Sequence, residues 1–141
     1  MPTMIHQFKF NPELKKKLYT ALNEHAVQTT GIIDGWDDDQ VAFEARGDND
    51  EFQGAVVVQR VFGQMHFKYL FVEEKFRDQG IGKQLMQKGI EYAREKGCSF
   101  AYLETCSYQA PEFYAHLGFN LEYKMEGFQN GISLMYFKMK L

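Results

Sequence analysis

The 141-residue sequence predicts a mixed α/β domain with six or seven strands in a mostly antiparallel sheet and helices on both of its faces. Three features carry that expectation. Residues 41–72 alternate β-branched and aromatic runs with turn residues, the pattern of an antiparallel meander. Residues 81–96 repeat apolar side chains at helical spacing, directly after a short polar loop with two glycines. An apolar strand follows at 100–105, and a strand, a helix and a strand of these lengths form a right-handed crossover between parallel neighbours.

In chain order the reading is β-α-β-β-β-α-β-α-β-β. Met4 to Phe10 alternates loosely and reads as a weak first strand. Asn11-Pro12 opens a helix, with Pro at the first helical position, Glu13 in the first turn, and Leu14, Leu18, Ala21 and Leu22 at helical spacing. Gly31 and Gly35 end that pattern. Val41–Ala45 and Gln53–Val61 read as strands around the turn residues 47–50, and Phe62-Gly63-Gln64 turns the chain into Met65–Val72. Ile81, Leu85, Met86, Gly89, Ile90 and Ala93 fall on one face of a helix that runs to about Lys96 and stops at Gly97. Phe100–Thr105 is a strand, and Ala110–Leu117 is a short helix stopped by Gly118. Phe119–Met125 and Ile132–Met139 close the sheet.

Length and composition bound the function. One domain spanning 1–141 is the expectation at this size. Nineteen acidic side chains against sixteen Lys and Arg give a charge of −3. That balance argues against a nucleic-acid partner, which selects for clustered positive charge. Two cysteines make no disulfide framework, and Met1 to Phe10 lacks the basic-then-apolar order of a signal peptide. Apolar runs such as Tyr69–Val72 fall far short of the ~20 residues a membrane span needs. A cytoplasmic protein without membrane or nucleic-acid partners is expected. His6, His25 and His116 show no metal-ligand spacing with Cys98 or Cys106, so no metal is expected.

The chemistry starts in the loop Arg77-Asp78-Gln79-Gly80-Ile81-Gly82-Lys83. A helix start exposes unpaired N–H groups and a partial positive charge, which together attract phosphate. Glycines let the main chain approach, and Arg77 and Lys83 add charge on either side. A Walker A loop would need Gly at 77 and Ser or Thr at 84, where Arg77 and Gln84 stand. A dinucleotide fingerprint would need Gly at 85, where Leu85 stands. R-x-x-G-x-G leading from a strand into a helix fits without a gap.

That motif resembles the coenzyme A pyrophosphate loop of the GNAT N-acetyltransferase superfamily. A second segment, Phe113-Tyr114-Ala115-His116-Leu117-Gly118-Phe119, is similar to the superfamily's F-Y-x-x-L-G-F run. The likeness covers residues 53–141 and is closest to small stand-alone bacterial members. The first fifty residues match only in outline. The resemblance implies the GNAT fold, acetyl-CoA as co-substrate, and direct transfer of its acetyl group to a primary amine within a ternary complex. It places the coenzyme on Arg77, Asp78, Gln79, Gly80, Ile81, Gly82, Lys83 and Gln109. It assigns a main-chain N–H of Phe71 or Val72 to the thioester oxygen, and makes Tyr114 the acid that protonates the leaving sulfur.

The reaction sets its own demands. An alkyl ammonium with a pKa near ~10.4 is neutral in only about one molecule in 2,500 at pH 7, a penalty of roughly 4.6 kcal/mol, so a proton acceptor is needed. Glu104, ten residues before Tyr114, and His66, eleven before Arg77, are rival candidates, with water as a third. Asp34, Asp37, Asp38, Asp39 and Glu44 would suit a cationic acceptor. A non-catalytic acyl-CoA-binding module of the same fold is the alternative, and the presence of both Tyr114 and Glu104 favours the enzyme. Apolar Leu134 to Phe137 suggests a homodimer paired through the C-terminal strands.

Overall fold

The computed structural model describes residues 2–36 and 39–141. The chain divides into two units, Met1–Gly35 and Trp36–Leu141. In the first, α1 (Pro12–Thr30) starts where the Asn11 side chain accepts a hydrogen bond from the Leu14 N–H at 2.8 Å. It ends at Gly31, whose N–H donates to the Val27 carbonyl. No residue of α1 is buried. The expected strand over 4–10 does not form. Strands persist by sharing N–H and C=O groups with a neighbour, no described residue pairs with this segment, and Ile5 is 93% exposed.

The second unit holds β1 (Val41–Arg46), β2 (Phe52–Val61), β3 (Gln64–Val72), α2 (Ile81–Glu95), β4 (Phe100–Cys106), α3 (Pro111–Leu117), β5 (Asn120–Met125) and β6 (Leu134–Lys140). The strands form one six-stranded sheet in the order β1-β2-β3-β4-β6-β5, antiparallel except for the β3–β4 pair. Apart from the missing first strand, the predicted order of elements stands. β6 lies between β4 and β5, so both of its edges are bonded. Leu134–Phe137 therefore offers no free edge, and the expected pairing of two copies through that segment has nothing to pair with.

The core joins Val56 and Val58 of β2, Met65 and Phe67 of β3, Ala101 and Leu103 of β4, Phe137 and Met139 of β6, and the apolar stripe of α2. Gly89 lets α2 approach the sheet closely. A Cβ there would lie 2.6 Å from the Phe67 ring.

Two irregularities of β3 prepare the site. The β2 register steps from Val57↔Tyr69 to Val58↔Phe67, leaving Lys68 as an extra residue in a β-bulge. Burial changes phase there: Met65 and Phe67 face the core before the bulge, Leu70 and Val72 after it, while Tyr69 and Phe71 turn outward. The parallel β3–β4 ladder has the register pairs Met65↔Ala101 and His66↔Tyr102 and stops. Beyond them the two strands part.

Candidate active site

The gap between the parted strands is a cleft of about 920 Å³, walled by β3 residues 67–72, β4 residues 103–105, the start of α2, and α3. Gly80 caps α2 with φ +81, in the left-handed region that other residues enter at a cost, and a Cβ there would meet nothing within 4 Å. The first α2 hydrogen bond runs from the Gln84 N–H to the Gly80 carbonyl at 3.0 Å. The N–H groups of Ile81, Gly82 and Lys83 therefore have no partner inside the helix. Gly82 sits against α3, where a Cβ would lie 3.4 Å from Phe113.

Neighbouring side chains brace this loop. Arg77 Nε donates to the Val72 carbonyl at 2.9 Å, and its guanidinium lies 5.7 Å from the Phe71 ring. Arg77 thus joins the loop to the end of β3. Asp78 lies exposed on the cleft wall with φ +63. Gln79 turns away, Nε2 donating to the Lys75 carbonyl at 3.4 Å. Gln109 Oε1 accepts from the Cys106 N–H at 3.1 Å, which orders the turn after β4 and keeps the residue on the cleft wall.

Register decides which amides face the cleft. The Glu73 N–H donates to the Gln53 carbonyl of β2 at 2.8 Å. Strand N–H groups alternate sides, so Phe71 points its N–H at β2 while Leu70 and Val72 point theirs into the gap. The Val72 carbonyl, on that open side, is the one that Arg77 meets. Of the two expected amides Val72 is the available one. Leu70 joins it, a residue the sequence reading missed because the phase change at Lys68 has no local signal.

Tyr114 borders the cleft from α3, packed against Phe113, Phe119 and Phe137 at ring-centroid distances of 5.2, 6.3 and 6.1 Å. Burial raises its pKa above the usual phenol value, so it keeps its proton at neutral pH. Among the described residues its hydroxyl has no hydrogen-bond partner.

The two rival proton acceptors meet. His66 Nε2 lies 2.7 Å from Glu104 Oε2. Glu104 is on the cleft wall, and His66 stands behind it. The imidazole is stacked on Tyr102, its register partner, with centroids 4.7 Å apart and planes 12° from parallel. The His66 hydrogen bond lowers the Glu104 pKa against the opposing effect of burial, and the charges of His66 and Lys68 add to the lowering. Burial, then the Glu104 charge, raises the Tyr102 pKa. Glu104 is therefore an ionised carboxylate fixed through one oxygen.

The acidic set expected around the acceptor is placed differently. Glu44 forms an ion pair with Arg46 at 2.8 Å on the edge strand β1, and neither Glu44 nor Asp39 borders the cleft. Asp34 belongs to the first unit. Asp37 and Asp38 lie outside the described residues. Among the described residues no helix is long and apolar enough to cross a membrane.

The profile of the acetyltransferase (GNAT) family matches residues 9–119. Over 74 residues the chain is 35% identical to the acetyltransferase Atu2258 of Agrobacterium fabrum, a match that spans 52% of this chain and 54% of that relative. It is 28% identical over 109 residues to the blasticidin-S acetyltransferase of Streptomyces morookaense, covering 77% of this chain and 80% of that one. The fold recurs in a crystal structure of a GNAT family acetyltransferase from Elizabethkingia anophelis with acetyl-CoA bound. There the TM-score is 0.63 at 22% identity, over 79% of this chain and 83% of that one.

Proposed function

The chain belongs to the acetyltransferase (GNAT) family, and on that premise we propose that it moves the acetyl group of acetyl-CoA to a primary amine of a small molecule, by direct attack in a ternary complex. The observation that carries this reading is a convergence on one cleft. Open amides at the α2 start, free strand amides of β3, a protonated phenol and an ionised carboxylate all border it. The family match runs from residue 9 to 119, which supports 1–141 as a single N-acetyltransferase domain. The acetyl-CoA bound to the Elizabethkingia protein and the acceptor named for the Streptomyces relative support the choice of the two substrates.

The residues present fit the coenzyme. The N–H groups of Ile81, Gly82 and Lys83, with the Lys83 ammonium, would take its diphosphate, each charge-assisted bond contributing about 1.5–3 kcal/mol. The N–H groups of Leu70 and Val72 would lie along its extended arm as a strand would, one of them donating to the thioester carbonyl oxygen as charge develops there. Glu104 receives the ammonium and, with His66 behind it, accepts the proton that frees the nitrogen lone pair. The C–N bond forms and the C–S bond breaks, Tyr114 donates its proton to the departing sulfur, and the second proton shed by the acylated nitrogen returns the phenolate to a phenol.

A panel of amines offered with acetyl-CoA, followed by thiol release, tests the reading. Release that depends on both the amine and Tyr114 is expected. Coenzyme binding without release from any amine would instead favour a non-catalytic module.

A further inference from the structure

We propose that the acceptor carries a carboxylate close to its amine and that Lys68 binds it, an inference that rests on the acetyltransferase reading above and narrows the acceptor to amino-acid-like molecules. Lys68 is the bulged residue of β3, partly buried on the cleft wall on the opposite strand from Glu104. Of the cations bordering the cleft, Arg77 is tied to Val72 and Phe71, and Lys83 stands beside the open amides of α2. Lys68 has neither commitment. Among the described residues it forms no ion pair: its ammonium lies 6.0 Å from the Tyr69 ring and acts on Glu104 only through longer-range charge. The ion-pair partner of Glu104 is His66, through Oε2 at 2.7 Å. The Lys68 ammonium is thus left without a hydrogen-bonded anion, which a ligand carboxylate would supply.

The acceptor end of the cleft thus presents a carboxylate and an ammonium on facing strands. An α-amino acid presents the complement, an ammonium and a carboxylate one carbon apart. Tyr69 and Tyr108, 64% and 70% exposed where they border the cleft, offer apolar surface to the remainder of such a molecule. The acidic residues that would favour a polycation do not border the cleft, as described above.

Matched acceptors isolate the carboxylate. L-phenylalanine, L-methionine and L-leucine are each compared with their amides, with cadaverine and glucosamine as controls, measuring thiol release from acetyl-CoA. An α-amide lowers the pKa of its amine, so intrinsic reactivity favours the amide, and preference for the acid must come from the protein. The expected result is kcat/KM higher for at least one free acid than for its amide, by on the order of tenfold or more. Lys68→Gln is expected to bring that ratio near one and Lys68→Glu to invert it, with coenzyme A affinity by calorimetry unchanged. Release with amides or controls but not with free acids overturns the inference and leaves the acetyltransferase reading standing. Equal losses for acid and amide in Lys68→Gln also overturn it, because Lys68 would then act through Glu104. No release from any of these acceptors overturns the inference, and the acetyltransferase reading falls with it only if the general amine panel is silent as well.

Discussion

His66 Nε2 and Glu104 Oε2 stand 2.7 Å apart, although 38 positions separate the two residues in the chain. β3 and β4 run parallel for only a short distance before parting, and the pair sits at the point of separation. Residues that compete for one role when the chain is read linearly become a single unit there, a cleft-facing carboxylate with an imidazole behind it.

That unit has a pH signature. The His66 hydrogen bond holds the Glu104 pKa below its ordinary value, so the carboxylate is ionised across the neutral range. His66→Ala removes the largest cause of the lowering, and the acid limb of the kcat/KM profile is expected to move to higher pH. Glu104→Gln should lower kcat/KM by about 10²–10⁴-fold without weakening coenzyme binding. A profile whose acid limb stays in place in His66→Ala would refute the coupling.

The same pair bears on stability. A carboxylate whose pKa is depressed on folding contributes stability above its unfolded value, and loses it as pH falls through the folded one. The difference in melting temperature between the parent protein and His66→Ala is therefore expected to be largest at neutral pH and to narrow as the solution is acidified below the usual carboxylate range, leaving the part due to stacking on Tyr102. Thermal scans across pH measure it.

Tyr114→Phe keeps the ring packed on Phe113, Phe119 and Phe137 and removes only the proton donor. Turnover should fall by about 10²–10³-fold, with coenzyme A affinity, read by calorimetry, within about twofold of the parent. Unchanged turnover would assign the proton to another group.

Gly80 is needed for its backbone, since a Cβ there has open space but φ is +81. A left-handed conformation costs an ordinary residue about 1–2 kcal/mol and costs Asn less. Gly80→Val should weaken coenzyme A binding several-fold more than Gly80→Asn. Equal affinities in the two variants would show that the turn does not set the amides.

Gly89→Ala probes packing alone. Its Cβ would fall 2.6 Å from the buried Phe67 ring, so the ring or the helix must shift to admit it. A loss of about 1–3 kcal/mol is expected in denaturant melts, with coenzyme affinity retained in the folded fraction.

Local signals made much of this fold legible. The stripe Leu85, Met86, Ile90 and Ala93 marks α2, and Gly80 and Gly82 mark its start, because helix periodicity and glycine turns are properties of neighbouring residues. Residues 4–10 misled for the same reason: loose alternation describes one chain segment, whereas a strand requires a second. The bulge at Lys68 and the facing of Leu70 into the cleft arise from how β2 and β3 match in register, which neither segment records alone. The opposition of His66 and Glu104 depends likewise on the crossover bringing β3 and β4 together.

The interior place of β6 has a consequence for biosynthesis. β6 supplies the antiparallel partner of β4 and the neighbour of β5. A ribosome still holding residues 134–140 in its exit tunnel would carry a nascent chain whose Glu104 wall is secured by little beyond the brief β3 ladder. β4 thus gains its second neighbour only once residues 134–140 have left the tunnel, and a chain without them would hold Glu104 on a strand paired along one edge alone.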